Sequence, residues 1–180
     1  MLDAAAEHVV QEMLAYRCPR YDEFPSIPLY SDQVVEALNR YTAALRSDGE
    51  PAITAAMINN YVKQRIIAPP VKKRYDREQL ARLYCICLLK PVFSISEIGA
   101  LMTVQTHSYP FPKAYDYFCV ELEKALEATF STRDFAAPSS AQLVTPESEL
   151  VRTAALSVAL KLFTTKFLQL YIPQENETSG

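Results

Sequence analysis

Glycine is scarce in this chain, at 3 in 180 residues, and tryptophan is absent. So few glycines leave no glycine-rich phosphate loop, and the sequence carries no such motif. Its two histidines, His8 and His107, stand far apart. Neither belongs to an HExxH pattern or a Ser-His-Asp order, and no paired-carboxylate motif is present, so no catalytic role is expected. The four cysteines, Cys18, Cys85, Cys87 and Cys119, form no disulfide framework and pair with no histidine at a zinc spacing. They read as small apolar thiols of a reduced intracellular protein, without metal or cofactor. Long uncharged apolar runs are also missing. The most apolar tract, residues 150–172, contains Arg152, Lys161 and Lys166, which makes it a poor membrane span. The start, "MLDAAAEHVV", lacks a basic region followed by a long apolar one, so a cytoplasmic location is expected.

What is present points to helices. Apolar residues make up 49% of the chain and charged ones 22%, an ordinary globular composition rich in alanine and leucine. A chain of this length can bury about two thirds of its unfolded surface. Residues 1–17 read as a helix, and "CPRYDEFPSIPLY" as an extended, proline-punctuated segment. From Ser31, a suitable cap, Val34, Leu38, Tyr41 and Leu45 form one stripe at helical spacing. A short helix then starts at Thr54, with Met57, Ile58, Tyr61 and Val62 on one face and Ala56, Asn59, Asn60 and Lys63 opposite. "VKKRY" suits one arm of a small hairpin or wing. Asp76 with Gln79, and Ser94 with Glu97, are capping boxes. The first opens a helix striped by Leu80, Leu83, Tyr84, Cys87 and Leu88, and the second a short helix. "HSYPFP" reads as a stiff connector before a helix over residues 113–130. Thr145 and Pro146 mark the start of the last helix, which runs to about Tyr171 and is apolar on most sides.

Charge is segregated along this layout. Between Asn60 and Arg77 there are six basic side chains, Lys63, Arg65, Lys72, Lys73, Arg74 and Arg77, against one acid, Asp76. The local charge of +5 stands in a chain whose net charge is −3. Helix, turn, short helix with a polar outer face, basic hairpin and long helix is the element order of a winged helix-turn-helix. On that reading, residues 54–64 form a recognition helix. An amide such as Asn59 or Asn60 can make a two-point contact to adenine in the major groove, and Lys63 can reach a phosphate or guanine. Lys72, Lys73 and Arg74, flanked by Arg65 and Arg77, would lie on phosphates, adding affinity without sequence information.

The string "MINNYVKQRIIAPPVKKRYDREQLARLYCICLLKPVFSISEI", together with the upstream "FPSIPLYSDQVVEAL", resembles a bacterial family of unknown function numbered 1836, itself similar to mercury-resistance-type (MerR) regulators. In the MerR-type pattern, Asn59 stands at the arginine and Asn60 at the first tyrosine of the recognition helix. Tyr61 matches the second tyrosine, Lys63 the basic residue, and Ile66 and Ile67 the two leucines. Arg74 and Tyr75 resemble the close of the wing, and "FSISEI" the opening of the fourth helix. Arg65 replaces the glycine that normally ends the helix in a left-handed conformation, so the turn is expected to be made differently. The wing is shortened and lacks its glycine. The resemblance implies no promoter untwisting, because no single heptad-bearing coiled coil follows, and no metal sensing.

Residues 1–19 are thus read as a helical extension and 20–105 as a MerR-like DNA-binding domain. Residues 106–173 are read as a helical lobe for dimerisation or effector binding, and 174–180 as a flexible tail. The whole is a mostly all-α chain whose expected partners are double-stranded DNA, a second copy of itself, and an unidentified small-molecule effector. Tyr109, Phe111, Tyr115 and Phe118 form an aromatic patch, read either as hinge packing between lobes or as an effector pocket wall. The alternative function is an interaction module that docks an acidic protein through the same basic patch.

Overall fold

The computed structural model describes residues 4–46 and 49–172. The expected tail, 174–180, lies outside the described residues. Helix α1 spans Ala4–Ala15, and an extended segment with a 3-10 turn at Tyr21–Glu23 leads to strand β1, Leu29–Tyr30. Helices α2 (Ser31–Tyr41) and α3 (Ala55–Lys63) precede strand β2 (Arg74–Tyr75). Then come α4 (Arg77–Leu89), α5 (Ile95–Ser108) and α6 (Phe111–Glu127), which closes in a π-type turn at Ala128–Thr132, and finally α7 (Pro146–Tyr171). The described chain is therefore mostly helical, with one two-stranded antiparallel sheet.

Local chemistry sets most helix starts. The hydroxyls of Thr54, Ser94 and Thr145 and the carboxylate of Asp76 each accept the N–H three residues on. At Asp76 the box is reciprocal, because Gln79 Oε1 accepts the Asp76 N–H at 2.8 Å. Glu97 does the same for Ser94 and also accepts from its hydroxyl; the hydroxyl bond first, and the N–H bond after it, hold its carboxyl below its ordinary value. Two expectations shift. Ser31 is the first helical residue rather than the cap, and Gln33 Oε1 secures the N–H of Tyr30 before it. The "HSYPFP" connector is shorter than expected: α5 continues to Ser108 and α6 begins at Phe111, with Pro112 in its first turn, where a missing N–H costs nothing.

Helix α4 is enclosed almost all round. Besides the expected stripe, Ala81, Cys85, Ile86 and Leu89 are buried. Cys85 and Cys87 point to opposite sides of it. Cys85 faces α5, α6 and α7, whereas Cys87 faces the α2–α3 connection. Burial raises both thiols, Cys87 to about 12, so neither is a nucleophile at neutral pH.

Beside α4 lies a cluster of tyrosine and phenylalanine. The Phe24 ring meets Tyr41, Tyr84 and Tyr115 edge-on at centroid distances of 5.6, 5.9 and 5.6 Å. Buried hydroxyls need partners here: Tyr16 donates to Tyr41 O and pairs with the Tyr84 hydroxyl, while Tyr115 donates to Pro19 O at 2.7 Å. The segment before the 3-10 turn is strapped to α6. Arg20 makes a two-point bond with Glu123 at 2.9 and 2.7 Å, and Asp116 Oδ1 accepts the Tyr21 N–H.

Helix α7 packs against α1, α4, α5, α6 and the π-type turn of its own chain. Its Lys166 is buried and reaches Glu12 of α1 at 2.9 Å. Among the described residues, no helix is long and apolar enough to cross a membrane.

Candidate nucleic-acid interface

The start of α3 is held by α2. Asn39 on α2 donates from Nδ2 to Ile53 O at 2.9 Å and accepts the Ile53 N–H on Oδ1 at 3.3 Å. This amide treats the backbone of Ile53 as a strand partner would. Arg46 donates to Asn39 O and Glu50 O, closing the connection from the other side. The approach to α3 is therefore fixed by hydrogen bonds as well as by burial of Ile53.

Helix α3 is divided as its spacing predicts. Ile58 and Tyr61 are buried and Met57 and Val62 half-buried, while Ala56, Asn59, Asn60 and Lys63 are exposed. The helix then ends in a Schellman motif. The Ile66 N–H reaches back to Tyr61 O at 3.0 Å and the Arg65 N–H to Val62 O at 3.0 Å. Arg65 itself takes the left-handed conformation, with φ of 58°. The expectation that an arginine here forces a different turn is thus corrected. The backbone makes the usual turn and bears the strain of a side chain there, about 1–2 kcal/mol. Ile66 packs close to Gly99 on α5, where a Cβ would lie 3.0 Å from Ile66 Cδ1.

A second left-handed pair makes the hairpin. Val71 and Arg74 exchange both backbone hydrogen bonds at 3.0 Å around Lys72 and Lys73, whose φ values are 50° and 64°. This is a two-residue hairpin turn of the I′ class, which usually takes Asn-Gly because both positions need positive φ. Strand β2 continues from it and pairs antiparallel with β1, Tyr75 opposite Leu29 and Arg74 opposite Tyr30. Gln79 holds the linker from α3, donating to Ala68 O and Pro69 O. Among the described residues, every positive-φ residue other than glycine is basic: Arg65, Lys72, Lys73 and Arg133.

The expected contact residues fall into two groups. Asn59, Asn60, Lys63, Arg65, Lys72 and Lys73 are exposed and have no side-chain partner among the described residues. Arg74 and Arg77 are engaged. Arg74 donates to the Tyr30 hydroxyl at 2.9 Å and stacks over that ring at 4.7 Å. Arg77 is half-buried, pairs with Asp22 at 3.1 Å and lies over Tyr21. The sequence reading overlooked Tyr30, which comes from a strand paired across more than forty residues, and Val71, an apolar side chain 73% exposed at the hairpin. No local signal marks the first, and the second lies ahead of β2 in a single bridge to Arg74, which has no sequence periodicity of its own.

The aromatic patch divides as well. Phe111, Tyr115 and Phe118 are buried and line a void of about 50 Å³ between α4, α5, α6 and α7. Tyr109 lies outside it, 42% exposed, with Lys113 Nζ 4.8 Å from its ring centre. Phe111 and Tyr115 also contact Tyr21, so they join the extended segment to α6. Among the described residues, no group of three or more metal-ligating side chains is placed to hold an ion.

Residues 19–118 match the family described as Domain of unknown function (DUF1836), more than half of the chain. The chain belongs to that family. The match begins ahead of the Arg20 strap and ends within α6. No curated protein and no solved structure matches the chain.

Proposed function

We propose that this family member is a sequence-specific DNA-binding transcriptional regulator whose residues 20–105 act as a winged helix-turn-helix similar to that of MerR-type proteins. Helix α3 enters the major groove, with Asn59 and Asn60 on base edges and Lys63 and Arg65 beside them. The Lys72–Lys73 turn and Arg74 lie on the phosphate backbone. Binding alone is the activity, with no reaction attached to it.

One observation above all supports this reading: six exposed amide and cationic side chains on α3, at its end and on the hairpin have no side-chain partner among the described residues, although the chain carries 21 acids. Elsewhere Arg20, Arg82, Arg152 and Lys166 sit in ion pairs, whereas Arg46, Lys90 and Lys161 do not among the described residues. Two protomers on an inverted repeat would double these contacts. The outer side of α7, with Leu160, Leu168 and Tyr171 exposed, is the surface we assign to that pairing.

The test is selection of random duplex DNA by the purified protein at about 150 mM salt, followed by sequencing. An enriched inverted repeat supports a dimeric, sequence-reading regulator. No enrichment, with binding lost by that salt, overturns the reading in favour of a module docking an acidic protein.

A further inference from the structure

A cleft of about 600 Å³ opens on the other side of α3, between the α2–α3 connection, the end of α4 and the middle of α7. That volume lies within the roughly 300–1,000 Å³ of small-molecule sites and far exceeds the 50 Å³ void beside Phe118. Its apolar wall is made by Met57, Leu88, Val158 and Leu162. Three cations, Arg46, Lys90 and Lys161, border it, and among the described residues that line it Glu50 is the only carboxylate.

None of these cations takes part in a salt bridge among the described residues. Arg46 is held by two neutral carbonyls, and its Nε is buried with no partner. Among the described residues, Lys90 Nζ finds only the Met57 sulfur, a weak acceptor, at 3.7 Å. Lys161 is exposed and has no side-chain partner among the described residues. Arg46 and Lys90 also both act on the Cys87 thiol, countering part of the rise that burial causes. Arg46 and Lys90, both half-buried beside an apolar wall in an acidic protein, lack the anion that would complete an ion pair.

We propose that this cleft binds a small amphipathic anion, a carboxylate or phosphate head on a short apolar body, and thereby acts on α3. The head completes the pairing of Lys90 and Lys161 while the body lies on Met57, Val158 and Leu162. Coupling follows from the lining: Thr54 is the cap of α3, and its hydroxyl accepts the N–H of Met57, so an occupant touches the first turn of the helix that carries Asn59 and Asn60. The binding step is independent of the DNA reading. Only the coupling step rests on it.

Calorimetric titration of the full chain with hexanoate, hexyl phosphate and hexanol tests the site. One equivalent of either anion should bind saturably, with hexanol at least tenfold weaker, and the tighter anion identifies the head group. Lys161→Gln, at an exposed position, should weaken the anion about tenfold with unchanged circular dichroism, and Lys90→Gln should do likewise. Absence of saturable binding, equal binding of hexanol, or unaltered affinity in a folded Lys161→Gln variant would each overturn the proposal. Binding that leaves the DNA affinity unchanged would overturn the coupling and leave the site standing.

Discussion

Lys166 and Lys73 are the same residue under opposite rules. Lys166 is buried on α7 and meets Glu12 at 2.9 Å, so removal from water is offset by an ion pair. Lys73 stands at the tip of a hairpin in a left-handed conformation, exposed and without a partner among the described residues. The contrast extends to the regions around them. Around α4 and α6 many buried hydroxyls and charges are matched, as with Tyr115 and Pro19 or Arg20 and Glu123. On α3 and at Lys72 and Lys73 the exposed amides and charges have no side-chain partner among the described residues, and three basic residues hold backbone angles that glycine would take at lower cost. One region is built for stability, and the other gives up stability to present charge.

Mutations should separate the two regions cleanly. The largest effect is expected in the matched region. Phe24→Ala removes a ring only 1% exposed that contacts three others, and should cost about 3–5 kcal/mol in denaturant unfolding. Replacing Lys72, Lys73 and Arg74 together with alanine should leave that unfolding curve nearly in place. It should weaken every duplex alike, whereas the unchanged dimer, if each protomer neutralises about three phosphates, should lose on the order of a thousandfold in affinity between about 50 and 200 mM salt. The log–log salt slope, near −5 before the change, should flatten toward zero.

Smaller changes sharpen the contrast further. Asn59→Ala or Asn60→Ala should erase about 1–3 kcal/mol of preference for the selected sequence, read by competition between duplexes, with stability hardly moved. Equal loss on all sequences would remove these residues from base reading. Lys72→Asn with Lys73→Gly should raise stability by about 1–2 kcal/mol, because the turn no longer forces side chains into positive φ. The same pair should lower affinity, and a variant that gains stability without losing affinity would show that the lysines serve no contact. Least of all, Arg65→Gly should add about 1 kcal/mol to thermal stability through the same relief at the end of α3.

Local chemistry was legible where it acts over a few residues. The caps at Thr54, Asp76, Ser94 and Thr145 lie where hydroxyl and carboxylate spacing placed them, and α3 exposes the face its periodicity assigns. Arg65 could not be read this way. The usual sign of a left-handed helix end is glycine, and here arginine takes that angle within a Schellman turn. The candidate site was legible as a run of charge. Which of its members are free was not, since Arg74 and Arg77 take their partners from Tyr30 and Asp22, 44 and 55 residues away.

By itself, then, the sequence determined that this chain is mostly helical, where its helices begin, and that one stretch concentrates positive charge. Those properties follow from neighbours within a turn or two of helix, which any conformation of the chain keeps close. Only the tertiary structure decided that β1 pairs with β2, that α4 is buried on nearly every side, that Lys166 meets Glu12 across 154 residues, and that Arg46, Lys90 and Lys161 border one cleft. Such juxtapositions depend on how whole elements pack. The same local pattern is compatible with many packings, and the burial of a particular core selects one.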